Sequence, residues 1–345
     1  APNYPYTCYD VLYRTPRQHV GGCLWHSFDH QRGYHPDPFY GGLMDVFRQP
    51  KYSYYMFQAQ RSPKKQDRLF ETGPMVYIAH EMTPFSPKDV TVYSNCDEVR
   101  LTYNKGGKSL TYTKPVSREG MPSPIITFKD VYNFMIDKNM SMKEGRQKEV
   151  FLLAEGLING KVVATHKVCP ARRPSKLLLW IDNENTELKA DGSDFVTVIA
   201  AIADKNGNIK RLNNYYVKFH IEGEGRILGG ANVLANPAPV KWGTAPILVQ
   251  STLKPGKIKI TASVLFEGSQ MPVSAELELE SKPSAYPLIY ASEEAALIPM
   301  KSDSQSFPIT AKSQKELEKE KAVKEQNERK LKEVEQQQAD FGEKK

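Results

Sequence analysis

Apolar and polar residues fall into three regimes along the chain. Up to about residue 61 the apolar positions follow no strand alternation. Tyr54, Tyr55 and Phe57 are spaced as the inner face of a helix over residues 50–61, with Pro50 in its first turn, where a missing N–H costs nothing. A short helix is also expected from Cys8 to Tyr13, and a short apolar strand over residues 20–26. After a polar linker at 61–67 the period changes to two. Residues 75–80, 89–94, 98–103, 150–157 and 161–168 carry the β-branched and aromatic content of short strands, and Asn159-Gly160 between the last two predicts a tight hairpin turn. Such spacing suits an immunoglobulin-like sandwich of roughly 100 residues. The alternation resumes at 177–181, 195–203, 215–221, 257–264 and 273–280, which predicts a second sandwich. From Lys312 to the end, Lys, Glu and Gln dominate, and Leu317, Val323, Leu331 and Val334 do not sustain heptads, so a solvated helical tail is expected rather than a coiled coil.

Composition changes this picture little. The 345 residues are enough for two or three cores, and 40% hydrophobic with 25% charged residues is ordinary globular material. The net charge of +7 is scattered, without a long basic run, so no nucleic-acid partner is expected. No apolar run reaches the length of a membrane span. Cys8, Cys23, Cys96 and Cys169 form no metal-ligand spacing and are expected as buried free thiols rather than a disulfide scaffold.

The candidate chemistry lies near the start. Gly21-Gly22-Cys23-Leu24-Trp25-His26-Ser27-Phe28-Asp29-His30 is followed by Gly41-Gly42-Leu43-Met44-Asp45 and Pro50-Lys51-Tyr52-Ser53-Tyr54-Tyr55. These blocks resemble the last strand, loop and helix of the (β/α)₈ barrel in glycoside hydrolase family 2, of the β-galactosidase type. The resemblance covers roughly the first 280 residues. Val92 to Val99 is similar to the first sandwich after that barrel, with the following turn stretched to Asn104-Lys105-Gly106-Gly107. Residues 188–194 and 204–208 are similar to the family's C-terminal module, whereas Gly229-Gly230-Ala231-Asn232 departs from its loop.

The resemblance implies a mainly β chain organised as 1–66 barrel end and 67–173 and 174–282 immunoglobulin-like sandwiches; the 283–311 linker, rich in Pro and Ser, and the 312–345 charged helical tail are read from composition and lie beyond the resemblance. It implies the C-terminal part of a retaining β-galactosidase-like enzyme acting on O-glycosidic bonds, periplasmic or secreted, without a cofactor. In that family the barrel-end Trp is a platform for the sugar. Trp25 is therefore expected to stack on a pyranose, with His26, Asp29, His30 and Arg32 able to bond its hydroxyls or an anionic substituent; a solvated loop with Trp25 plugging the barrel is the other reading. The partner would be a β-galactoside or related oligosaccharide. His26, His30 and His35 are unevenly spaced in a Gly/Pro loop, and no metal site is expected.

Retaining glycosidases need two carboxylates about 5 to 5.5 Å apart. In the family both are Glu on earlier barrel strands, and the first Glu here is Glu71, so the catalytic pair is expected upstream of Ala1 and the isolated chain is expected to be inactive. One strand and one helix cannot close a barrel, which would leave Leu24, Phe28, Tyr54 and Phe57 exposed and residues 1–60 poorly ordered. A non-catalytic β-sandwich protein for carbohydrate binding or adhesion is the alternative. Trp180 and His220 read as core or half-buried strand residues, and Trp242 as a loop aromatic that either caps a sandwich or binds sugar.

Overall fold

The computed structural model describes residues 4–16, 18–33, 38–65, 72–104, 108–113, 120–135, 150–182, 187–265 and 272–285. All of them belong to one compact unit, Ala1–Tyr290. The expected linker from 286 and the charged tail lie outside the described residues. The described residues are mainly β, with two short α-helices among them, α1 (Tyr4–Tyr13) and α2 (Tyr52–Gln58), ahead of two sandwiches.

The first sandwich pairs a three-stranded sheet with a four-stranded one. β1 (Val76–Ala79), β2 (Val90–Ser94) and β5 (Ile126–Phe128) run in the order β1-β2-β5. Facing them are β3 (Glu98–Tyr103), β4 (Lys108–Thr113), β6 (Leu152–Ile158) and β7 (Lys161–Val168), in the order β4-β3-β6-β7. β3 shows why the sequence makes a strand here. Val99, Leu101 and Tyr103 point into the core with Ile78, Val92 and Leu152, while Arg100 points outward onto the directly opposite Glu155 at 2.7 Å. Asn159 and Gly160 both have positive φ, as a two-residue hairpin joining β6 and β7 requires. Strands β4 and β5 went unpredicted. β5 is only three residues long, and the stretched turn before β4 broke the alternation.

The second sandwich is built from β8 (Lys176–Asp182), β10 (Phe195–Ala203), β12 (Gly225–Ile227) and β14 (Thr244–Ser251) in one sheet, order β12-β14-β10-β8. The other sheet holds β9 (Lys189–Ala190), β11 (Tyr216–Gly223), β13 (Ala238–Pro239), β15 (Gly256–Leu265) and β16 (Ala275–Pro283), order β13-β11-β15-β16-β9. Val198, Phe219, Ile247, Ile258 and Ile260 are among the buried side chains between them. The five-stranded sheet turns Lys257, Lys259, Glu276, Glu278 and Glu280 outward, and Lys259 meets Glu276 at 3.1 Å. β14 went unpredicted because Trp242-Gly243 and Pro246 interrupt its pattern, yet Pro246 is tolerated in the ladder opposite Ile199. Trp180 is half-buried as expected. His220 is not: alternation along β11 puts Val217 and Phe219 inward and His220 in solvent, 3.3 Å from Glu222.

Helix α2 is docked on the first sandwich. Met56 and Ala59 are fully buried against Ala79, Tyr93 and Met121, with Tyr9, Tyr52, Tyr55 and Phe57 packed around them. Tyr55 stacks on Tyr77 at 3.7 Å, Tyr77 stacks on His166 at 4.5 Å, and the Nδ1 of His166 accepts the Ile78 amide at 3.0 Å. The expectation that Phe57 and Tyr54 would be left exposed is thus corrected, because the helix finds its apolar partner in the sandwich. Phe28, by contrast, is exposed. Helix α2 also starts later than expected: Lys51 is its N-cap, and Pro50 precedes the cap.

Candidate functional site

The segment expected as a barrel strand forms no ladder over residues 20–26. Its pairing consists of single bridges, Phe28 with Met44 and His30 with Phe39. A parallel strand is held by neighbours on both sides, and among the described residues none flanks 20–26. What holds this region is a set of contacts among the three sequence blocks.

Asp29 is 5% exposed and lies at their centre. Its Oδ1 accepts the Gly42 amide at 2.9 Å and the Lys51 ammonium at 2.6 Å, and the Lys51 Nζ also donates to the Tyr40 carbonyl at 3.1 Å. The Asp29 amide donates to Met44 and the Met44 amide to Ser27. Gly42 has to be glycine, since a Cβ there would come within 2.3 Å of the Asp29 nitrogen and the Phe28 carbonyl carbon. Asp45 closes the next turn: its Oδ1 accepts the amides of Phe47 and Gln49, and its Oδ2 the Gln49 side chain at 3.0 Å. Burial raises the Asp45 carboxyl above its ordinary value, and these hydrogen bonds oppose the shift without cancelling it.

Around this frame the aromatic and basic side chains cluster. Trp25 is 83% exposed, and its peptide bond to His26 is cis. The His26 ring packs edge-on to Trp25, 4.2 Å from the His30 ring and 5.0 Å from Phe39, and the Arg32 guanidinium lies 4.0 Å over Phe39. Both ring nitrogens of His26 are shielded and lack a hydrogen-bond partner among the described residues. Desolvation, and after it the neighbouring His30, lower its pKa below the ordinary value, which favours the neutral ring. The structure therefore brings Trp25, His26, His30 and Arg32 together and turns Asp29 inward as their support. Lys51, Gly42 and Phe39 were missed as parts of this site; the signal for Lys51 and Gly42 was their presence in the quoted blocks. His35 lies outside the described residues. No metal-ligand cluster occurs among the described residues. None of the four cysteines forms a disulfide among the described residues, but Cys8 and Cys23 are exposed rather than buried, and Cys96 is buried.

The other family-like stretches turn out to be local frameworks. Asn95 donates from Nδ2 to the carbonyls of Arg61 and Gly73 and accepts the Met75 amide, which pins the linker after α2 to β2. Asp204, fully buried, accepts the amides of Arg172, Asn206 and Asn208 and the Asn208 side chain. Burial alone would raise its carboxyl, but those donors outweigh it and hold the pKa below the ordinary range.

Two short helices docked ahead of tandem β-sandwiches, with an exposed Trp in the segment between the helices, define a mainly β, two-sandwich architecture. Residues 179–265 match the model of glycoside hydrolase family 2 C-terminal domain 5. A β-galactosidase of Thermoanaerobacter pseudethanolicus is 32% identical over 77% of this chain and 34% of its own length. The β-galactosidase BoGH2A of Bacteroides ovatus is 28% identical over 70% of this chain and 27% of its own. Among solved structures, a β-glycosidase from Bacteroides vulgatus aligns with a TM-score of 0.53 at 23% identity, over 74% of this chain and 30% of that one, a likeness of fold. The chain belongs to glycoside hydrolase family 2. It spans about a third of the length of the first of these curated relatives.

Proposed function

We propose that this chain is the C-terminal part of a retaining β-galactosidase-like enzyme, and that residues 20–58 supply the last strand, loop and helix of its barrel. The observation that carries the reading is the exposed Trp25 indole, mounted on a frame in which Asp29 accepts hydrogen bonds from both Gly42 and Lys51. A fully exposed Trp is costly in water, whereas a flat apolar ring beside polar groups matches the apolar face of a pyranose. In this reading Trp25 stacks on the sugar held in the active site, and His30 and Arg32 border it. His26 braces the indole, and Asp29 acts through the loop it supports. The two sandwiches buttress the barrel, with α2 as the joint.

The chemistry follows the family's two-carboxylate scheme. One Glu attacks the anomeric carbon and the other protonates the leaving oxygen, then activates the water that releases the sugar. Neither carboxylate is supplied by residues 1–66, which contain no Glu. The isolated chain is therefore a sugar-binding and scaffolding piece without hydrolytic activity. The test is hydrolysis of p-nitrophenyl β-galactoside by the polypeptide encoded by the complete reading frame that contains this chain. Release of nitrophenol, with none from residues 1–345 alone, supports the reading. No hydrolysis of β-galactoside, β-glucuronide or other aryl glycosides by the complete polypeptide would overturn it in favour of a non-catalytic module.

A further inference from the structure

Trp242 occupies a position that a tryptophan rarely takes. Lys241 and Thr244 exchange backbone hydrogen bonds at 2.8 and 3.1 Å, and the two residues between them have φ of 52° at Trp242 and 86° at Gly243. That is the type I′ pattern, which favours Asn or Gly at both central positions. Gly243 is forced, because a Cβ there would come within 2.9 Å of the Lys210 carbonyl oxygen. Trp242 is not forced by packing, since it is 54% exposed. Core packing therefore does not account for a bulky residue held in the left-handed region and presented to solvent.

The hairpin is also anchored in a particular direction. The Trp242 carbonyl accepts the Arg211 Nη1 at 3.2 Å, and the Arg211 Nε donates to Glu81 at 3.0 Å. The other oxygen of Glu81 accepts the Tyr52 hydroxyl at 3.1 Å. Tyr52 is the first residue of α2. In a (β/α)₈ barrel each helix begins just beyond the C-terminal end of its strand, which is the catalytic face. One chain of hydrogen bonds thus ties the tip of a second-sandwich hairpin to the catalytic-face end of the barrel's last helix.

We propose that the Trp242 hairpin is a second carbohydrate subsite, a stacking platform for a sugar unit beyond the one held at Trp25, so that the second sandwich selects for longer β-galactosides. This rests on the reading of residues 20–58 as the barrel end. The indole supplies the apolar face, and the Lys241 side chain, exposed beside it, supplies a donor for hydroxyls.

The test uses the full chain and its Trp25→Ala, Trp242→Asn and Trp242→Phe variants, titrated by NMR at the indole N–H with methyl β-galactoside and with β-1,4-linked galactopentaose. Trp242→Asn removes the ring but suits the turn, so its thermal midpoint should equal or exceed that of the parent chain. The expected result is about tenfold weaker binding of the pentasaccharide by Trp242→Asn, partial retention by Trp242→Phe, and unchanged binding of the monosaccharide. Unchanged pentasaccharide binding by Trp242→Asn overturns the inference, and if Trp25→Ala then weakens both sugars the barrel-end reading survives it. Weakening by Trp242→Asn with no effect of Trp25→Ala sinks that reading but leaves a sugar site on the sandwich. Binding of neither sugar by the parent chain overturns both.

Discussion

Lys51 and Asp29, separated by 22 positions in sequence, form a 2.6 Å ion pair whose carboxylate is nearly inaccessible. The same carboxylate oxygen receives the Gly42 amide, so one buried acid joins the Trp25 segment, the glycine loop and the cap of α2. Removing one partner of such a pair strands the other charge. Lys51→Met should therefore lower the protection of residues 27–51 in hydrogen exchange by about 2 kcal/mol, less than for a fully enclosed pair because Lys51 is partly exposed. Protection unchanged from the parent chain would show that the blocks are held by other contacts.

Gly42→Ala should have a sharper local effect. The colliding atoms are backbone, not flexible side chain, so the loop must move as a whole. We expect a loss of about 2 kcal/mol or more in local stability, read by limited proteolysis between Phe39 and Lys51. Cleavage at the parent rate would contradict the close approach of Gly42 to Asp29.

Asp204 sets an acid limit on the second sandwich. Its folded pKa lies below the ordinary 3.8, so its contribution is complete above that value and drains as the pH falls through the folded one. Asp204→Ala should cost about 2 to 4 kcal/mol at pH 7, since several buried amides lose their acceptor. Chemical denaturation at pH 7 and pH 3 checks both parts: the gap between the parent chain and the variant must narrow at the lower pH.

His166 gives the joint with α2 a different pH dependence. Its Nδ1 must be unprotonated to accept the Ile78 amide, and desolvation lowers its pKa while Glu81 pulls the other way. A lowered folded pKa means that the neutral ring's contribution is complete above the ordinary 6.5 and is lost as the pH drops below it. Hydrogen exchange of α2 should accelerate between pH 7.5 and 5.5, after correction for intrinsic rates. His166→Gln, which can accept the same amide without titrating, should flatten that dependence; an equal slope in both proteins would exclude His166 as its source.

Much of this was legible in the sequence because burial leaves a period behind. The alternation of Val99, Leu101 and Tyr103, or of Ile258, Ile260 and Ala262, predicts both strand and inward face. Asn159-Gly160 predicts its turn for a stereochemical reason. β14 escaped because Pro246 and the Trp242-Gly243 turn imitate a loop, and the fate of His220 turned on a one-residue parity. At the site, the residue types in the Trp25 segment pointed to sugar chemistry through resemblance alone. That Asp29 faces Lys51 rather than solvent depends on contacts across 22 positions, which no local pattern encodes.

The sugar-binding role of residues 20–58 rests on Trp25. Its most direct test is kcat/KM for p-nitrophenyl β-galactoside in the complete polypeptide, comparing the parent sequence with Trp25→Ala and Trp25→Phe. Loss of a stacking platform for the reacting sugar should lower kcat/KM by about a hundredfold or more in Trp25→Ala and less in Trp25→Phe, with the thermal midpoint nearly unchanged because the indole is exposed. Full activity in Trp25→Ala would show that residues 20–58 do not face the substrate.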